Sequence, residues 1–184
     1  MSELKFRNKY RIPSNRLKNW DYGSNSAYFI TICTKNREHF FGEINNGKMQ
    51  LNELGKNAVQ FWMEIPNHFP FIELGNFVVM PNHTHGILII DKPVEMPNLG
   101  ISTVEPQKPK PKNGGKIDEW KPGTIGVIVN QYKRMVTIHN RKINPNFAWQ
   151  SNFHDHIIRN SKSFENIQNY IENNPAQWKE DRFC

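Results

Sequence analysis

Two apolar, strand-like segments separated only by Pro81-Asn82 constrain the fold of this chain most strongly. The first is Phe77-Val78-Val79-Met80, and the second is His83-Thr84-His85-Gly86-Ile87-Leu88-Ile89-Ile90. Side chains alternate between the two faces of a strand, so residues two positions apart point to the same face. The pattern therefore predicts that the two histidines of the second segment share one face of a sheet and have apolar flanks.

The rest of the chain alternates between strand-like and helix-like segments. Further strands are predicted over three stretches, which are 27–34, 40–51 with a hairpin turn at Asn46-Gly47, and 154–159. Helices are predicted from a cap at Asn52 to Pro66, over 124–140, and from a cap at Ser161 or Ser163 to Pro175. This order predicts an α+β fold, a ferredoxin-like split βαβ sandwich. Its antiparallel sheet has the strand order 4-1-3-2 and helices on one face, and an extra C-terminal helix follows.

The length of 184 residues suits one domain with tails. We predict a basic N-terminal arm over 1–25, a single domain over 26–178 and a short tail over 179–184. Six of the 12 prolines fall between residues 92 and 122, so this stretch is predicted to be a flexible insertion within the domain.

Composition narrows the setting in which the protein works. No apolar run approaches the roughly 20 residues of a membrane-spanning helix, and no apolar segment follows the charged N-terminus as in a secretory signal. Two cysteines exclude a disulfide framework and fit a reducing compartment. The expected location is therefore the cytoplasm.

The charge balance favours a polyanionic partner. The chain has 24 basic and 17 acidic residues, a net charge of +7. Solvated surface charge explains such a balance equally well. The candidates for phosphate contact form two clusters, which are Lys5, Arg7, Lys9, Arg11, Arg16 and Lys18 in the arm, and Lys133, Arg134, Arg141 and Lys142 in and just after the middle helix.

The paired histidines are candidates for a metal site because two imidazoles on one face can bind a single divalent ion. A third ligand is needed, and the last helix offers Tyr170 and Asn174, which lie one turn apart. The Asn174 carbonyl oxygen could bind the ion, which would place the Tyr170 phenol beside it as a nucleophile. From the residues alone, a packing tyrosine and an asparagine that ends the helix explain the same pattern.

Three blocks in this sequence resemble the single-tyrosine HUH transposases, and most closely the branch called REP-associated tyrosine transposases. They are Phe77 to Gly86, Phe153-His154-Asp155-His156-Ile157-Ile158-Arg159, and Tyr170-Ile171-Glu172-Asn173-Asn174-Pro175. Tyr28-Phe29-Ile30-Thr31 resembles the first strand of that branch. The blocks occur in the family's order, and the resemblance spans roughly residues 20 to 178.

The resemblance implies an enzyme that nicks and rejoins single-stranded DNA. His83, His85 and Asn174 would bind Mg²⁺ or Mn²⁺, and Tyr170 would attack the scissile phosphate to form a 5′-phosphotyrosine intermediate. The implied DNA is a hairpin formed by palindromic repeats, and the implied location is the bacterial cytoplasm, or the nucleoid when the protein is bound to DNA. Family members act as monomers or as homodimers, so both states are open for this chain.

Other interpretations compete with this one. His154 could extend the histidines into a zinc site, but strand spacing separates the two pairs by about 10 Å, so His154 and Asp155 are predicted to support the site indirectly. Tyr132 is the rival nucleophile. The second class of function is a non-catalytic single-strand binder that uses Tyr28, Phe29 and Phe77 to stack on bases, together with the basic arm.

Overall fold

The computed structural model describes residues 17, 19–93 and 123–180. Six strands are described, which are β1 (Ser26–Cys33), β2 (Gly42–Asn45), β3 (Lys48–Leu51), β4 (Ile72–Met80), β5 (His83–Ile90) and β6 (His154–Ile158). Four α-helices are described, which are α1 (Glu53–Met63), α2 (Ile65–His68), α3 (Ile125–Ile143) and α4 (Ser161–Asn173). Short 3-10 turns occupy Lys35–Arg37 and Trp178–Glu180.

Several sequence-based predictions lie outside the described residues. They concern the arm residues Lys5, Arg7, Lys9, Arg11, Arg16 and Lys18, most of the proline-rich insertion, and the last four residues of the tail. Of the predicted arm over 1–25, the structure describes residues 17 and 19–25. Trp20 and Tyr22 pack against the hydrophobic core, so the packed part of the chain begins before β1.

The main sheet has the predicted topology. Its strands are ordered β4-β5-β1-β6, and each neighbouring pair is antiparallel. Numbering these four strands along the chain gives the order 4-1-3-2. The fold class predicted from the sequence is therefore confirmed, as is the separate β2–β3 hairpin, in which Asn46 and Gly47 both have positive φ.

Helices cover both faces of this sheet, whereas the sequence predicted that they cover one. Helices α1 and α3 pack over the face that carries Tyr28, Ile30 and Ile32, and together they form the main hydrophobic core. Helix α4 packs over the opposite face against a smaller apolar cluster that includes Ile87 and Ile158. We call these the core layer and the α4 layer.

Asparagine side chains cap the starts of α1 and α4. The Asn52 side chain accepts a hydrogen bond from the Gly55 N–H, as predicted for the start of α1. At the start of α4 the predicted serine cap is wrong, because the Asn160 side chain accepts the bond from the Ser163 N–H at 2.8 Å. Asparagine and serine cap helices about equally well, so their neighbouring positions left the boundary uncertain.

Candidate metal and tyrosine site

The two histidines of β5 lie on the α4 layer and are fully buried. His83 pairs with Cys33 of β1, and His85 pairs with Thr31. Both imidazoles have no exposed surface, and their ring centroids are 4.4 Å apart. With metal–imidazole bonds of about 2.1 Å, rings this close can bind one ion.

Each imidazole is held on its Nδ1 side by an oxygen atom. His83 Nδ1 lies 2.7 Å from Asn82 Oδ1, and His85 Nδ1 lies 2.8 Å from Thr31 Oγ1. An amide oxygen accepts but does not donate, so His83 carries its proton on Nδ1 and keeps a lone pair on Nε2. Metal-binding histidines commonly have such a supporting partner on the second ring nitrogen.

Tyr170 lies directly beside this pair. Its hydroxyl is 3.2 Å from His85 Nε2, and its ring meets the His85 ring edge-on with centroids 5.3 Å apart. Phe29 stacks on His85 and meets Tyr170 at a right angle. Residues that are far apart in the chain are therefore brought together by the β5 register and the packing of α4.

Asn174 is buried at the end of α4. Its exposed fraction is 1%, and its backbone continues the helical conformation one turn after Tyr170. One turn further on, the Trp178 ring lies nearly parallel to His83 with centroids 6.0 Å apart. Along the chain, Asn174 thus lies midway between two residues whose side chains contact the two histidines.

The donor set fits a divalent ion. Two imidazoles and an amide, all buried, offer nitrogen and oxygen donors without a thiolate, a mixed set that fits Mn²⁺ better than Mg²⁺, which prefers oxygen ligands. Among the residues that the structure describes, no group of three or more His, Cys, Asp or Glu side chains is arranged to bind a metal.

The second histidine pair lies at the edge of the same layer. His154 pairs with Thr31 from the other side of β1, so His85 and His154 are two strands apart, as the sequence predicted. His154 is exposed. Asp155 pairs with Ile30 and so faces the core layer, whereas His154 is next to the threonine that holds His85.

Tyr132, the rival nucleophile, belongs to the core layer. Its ring is 2% exposed, and its hydroxyl donates to the Ala58 carbonyl. Burial raises the pKa of the Tyr132 phenol, which opposes formation of a phenolate. The structure therefore excludes Tyr132 from the histidine site.

The described basic cluster of α3 also belongs to the core layer. Arg134 and Lys142 are exposed, and the Arg141 Nε donates to the Phe147 carbonyl. The Lys133 ammonium donates to the carbonyls of Gln150 and Ser151, and burial lowers its pKa. These four side chains lie on the side of the sheet opposite to the histidines.

The aromatic residues proposed for base stacking are not on an open sheet surface. Tyr28 is fully buried in the core layer, and Phe77 stacks on Trp62 in the same core. Phe29 lies beneath α4 between His85 and Tyr170.

Three contributors to the site were not predicted from the sequence, namely Thr31, Asn82 and Trp178. The first two hold the imidazoles, and the third lies against the His83 ring. For Trp178 a signal existed, because Tyr170, Asn174 and Trp178 follow one another at intervals of four.

A protein of known structure has the same fold. The chain shares its fold with a REP-associated tyrosine transposase whose structure was solved bound to a REP hairpin, with a TM-score of 0.56 and 18% identity over 90% of this chain and 74% of that one. No protein-family model matches the chain. No helix within the described ranges is long and apolar enough to cross a membrane.

A closer relationship is visible in sequence. An uncharacterized protein of Haemophilus influenzae is 43% identical over 171 residues, which cover 92% of this chain and 91% of the relative. The chain belongs to the same family as this Haemophilus protein.

Proposed function

We propose that the protein is a metal-dependent enzyme that nicks and rejoins single-stranded DNA, with Tyr170 as nucleophile. The observation that carries this proposal is the 3.2 Å contact between the Tyr170 hydroxyl and His85 Nε2 within a buried histidine pair. A tyrosine beside two imidazoles and an amide has the parts that phosphoryl transfer to a side chain requires. The transposase fold and the resemblance of the three sequence blocks agree with it.

His83, His85 and Asn174 would hold the ion, which when bound supplies Lewis-acid polarisation of the scissile phosphate. Asn82 and Thr31 fix the imidazoles from behind. Phe29 contacts both the His85 and the Tyr170 rings, so it helps to hold the phenol oxygen beside the imidazole of His85. Positioning of this kind lowers the entropic cost of bringing nucleophile and phosphate together.

The reaction step exchanges one phosphodiester for another. The Tyr170 oxygen loses its proton and forms a bond to phosphorus, while the bond from phosphorus to the 3′ oxygen breaks and that oxygen gains a proton. The products are a 5′-phosphotyrosine and a free 3′-hydroxyl. A second 3′-hydroxyl can reverse the step, so rejoining needs no external energy source.

The substrate we propose is hairpin-forming single-stranded DNA. The net charge of +7 favours a polyanion, and the solved transposase that shares this fold was bound to a REP hairpin. A monomer and a homodimer are both compatible with a site in which Tyr170 and the histidines come from one chain.

The test is a covalent-adduct assay. The full chain is incubated with Mn²⁺ and a pool of DNA hairpins whose flanking single strands are randomised, and the products are run on a denaturing gel. We expect an adduct that requires Mn²⁺, disappears in Tyr170→Phe and persists in Tyr132→Phe, whose hydroxyl lies in the other layer. If the pool binds but never forms an adduct, the protein is a binder and the enzymatic proposal fails.

A further inference from the structure

A cavity beside the metal and tyrosine site has no role in the chemistry described above. It has a volume of about 520 Å³ and lies between the turn of the β2–β3 hairpin and the segment that follows α4. Its lining includes Ile44, Asn46, Pro175, Gln177, Trp178 and Lys179. The hairpin turn and the segment after α4 are close together at one point. A Cβ atom built on Gly47 would lie 3.5 Å from the Ala176 Cα.

Trp178 connects this cavity to the histidine pair. Its indole lines the cavity, lies nearly parallel to the His83 ring with centroids 6.0 Å apart, and meets the His39 ring at 5.7 Å. The indole is only half-buried. A group bound in the cavity would therefore lie next to whatever occupies the histidine site.

The lining has the chemistry of a nucleotide site. An aromatic face and the apolar side chains of Ile44 and Pro175 suit the planar surface of a base. The amides of Asn46 and Gln177 offer donors and acceptors to a base edge, and the exposed Lys179 offers positive charge to a phosphate. Within the described part of the chain no carboxylate lines the cavity, and its volume is within the usual range for small-ligand pockets.

We propose that this cavity binds one unpaired DNA base next to the phosphate that is cleaved, with Trp178 as the stacking surface. The inference rests on the proposed function, because it takes the histidine pair as the place of the scissile phosphate. Stacking of that nucleotide fixes the strand on one side of the site, so the phosphate is presented to Tyr170. Trp178 is a positioning residue in this scheme.

The experiment measures binding without cleavage. Fluorescein-labelled oligothymidylate of about 12 nucleotides, within the site sizes common for single-strand binders, is titrated with the full chain carrying Tyr170→Phe in EDTA, so neither metal nor nucleophile contributes. Adding Trp178→Ala should weaken binding roughly 5- to 150-fold, the range for loss of one base–aromatic stack. Trp178→Phe should stay within about threefold of the parent, since a smaller ring still stacks.

Met63→Ala is the matched control, because Met63 is an exposed apolar side chain at the end of α1, in the other layer. We expect it to bind like the parent.

An independent measurement that needs no tryptophan variant is photo-cross-linking with 5-iododeoxyuridine placed in the oligonucleotide. The cross-link should map to Trp178.

Three results would each overturn the base site. They are equal affinity of Trp178→Ala and the parent, no binding of the oligonucleotide, and cross-links confined to the core layer. None of these results depends on metal or on Tyr170. Failure of the base site can therefore be distinguished from failure of the proposed chemistry, which is measured by the covalent adduct.

Discussion

At the scale of single residues, the Nδ1 partners of the two imidazoles decide how the site can bind a metal. Thr31 is almost completely buried, and its hydroxyl lies against His85. For His85 to offer Nε2 to an ion, its Nδ1 must carry the proton and donate it to the Thr31 oxygen. The threonine oxygen therefore fixes the orientation of the ring and can accept this hydrogen bond.

Replacing Thr31 by valine tests this role. The substitution keeps the shape of the side chain and removes its oxygen, so Mn²⁺ affinity should fall by roughly 10- to 100-fold. Thr31→Ser retains a hydroxyl and should remain close to the parent. Isothermal titration of Mn²⁺ into the metal-free protein measures both variants, and equal affinity of the valine and serine variants would contradict the assigned role.

The Tyr170 hydroxyl and an ion compete for the same nitrogen atom. In the structure His85 Nε2 is 3.2 Å from that hydroxyl, and the lone pair cannot serve a proton and a metal together. Tyr170→Phe should therefore raise Mn²⁺ affinity about 2- to 12-fold, corresponding to one hydrogen bond of ordinary net strength. His85→Ala is the opposing control and should abolish binding. Weaker Mn²⁺ binding in Tyr170→Phe would show that the phenol helps to bind the ion.

Sequence patterns located the histidines and the tyrosine but not their supports. His83 and His85 share a face because alternation along a strand is a local property. Thr31 contacts His85 only through the β1–β5 register, which joins positions 54 residues apart. The spacing of four from Tyr170 and Asn174 pointed to Trp178, but α4 ends at Asn173, so helical spacing alone did not fix where this side chain lies.

At the scale of elements, β5 supports both layers at once. Its odd-numbered residues face α4, and its even-numbered residues face the core layer, where Gly86 lies beneath the Trp62 ring. A Cβ atom at Gly86 would overlap that ring and approach the Phe77 Cβ to 2.9 Å. The strand that carries the histidines thus requires a glycine on its other face.

Gly86→Ala should consequently destabilise the fold by about 1–3 kcal/mol, the usual cost of overpacking a core. Urea unfolding followed by tryptophan fluorescence measures the free energy of unfolding. Gly23→Ala is the comparison, because a Cβ there meets its neighbours at 3.4 Å or more, which is ordinary contact. That variant should be neutral or slightly stabilising. Similar decreases in stability in the two variants would mean that the Trp62 ring does not constrain β5.

The sequence predicted the elements and the strand order, but not which face of the sheet α4 covers. The Asn46-Gly47 turn and the strand order followed from local turn chemistry and from the order of elements. The apolar stripe of α4 indicated that this helix packs against something, but a stripe does not say which face of a sheet it meets. Here α4 takes the face that α1 and α3 leave open, and this choice creates the site.

At the scale of the whole molecule, the histidine site and the basic cluster of α3 are on opposite sides of the sheet. Among the α3 side chains proposed for phosphate contact, Lys133 has its ammonium bonded to two carbonyls, and Arg134 and Lys142 are exposed. A DNA molecule that reaches both the site and α3 must therefore pass around an edge of the sheet. A hairpin duplex with a single-stranded flank has the two parts that such a path requires.

The last prediction concerns that path. A double variant Arg134→Ala/Lys142→Ala, made in a Tyr170→Phe background, should weaken binding of a DNA hairpin. The slope of log affinity against log salt should fall by about 0.9 for each duplex phosphate that the protein no longer neutralises, because fewer counterions are released on binding. Lys56→Ala/Lys162→Ala removes the same number of exposed positive charges from α1 and α4, and its slope should stay near that of the parent. If the two double variants lower the slope equally, α3 contributes only general positive charge, and the duplex must bind to another surface of the protein.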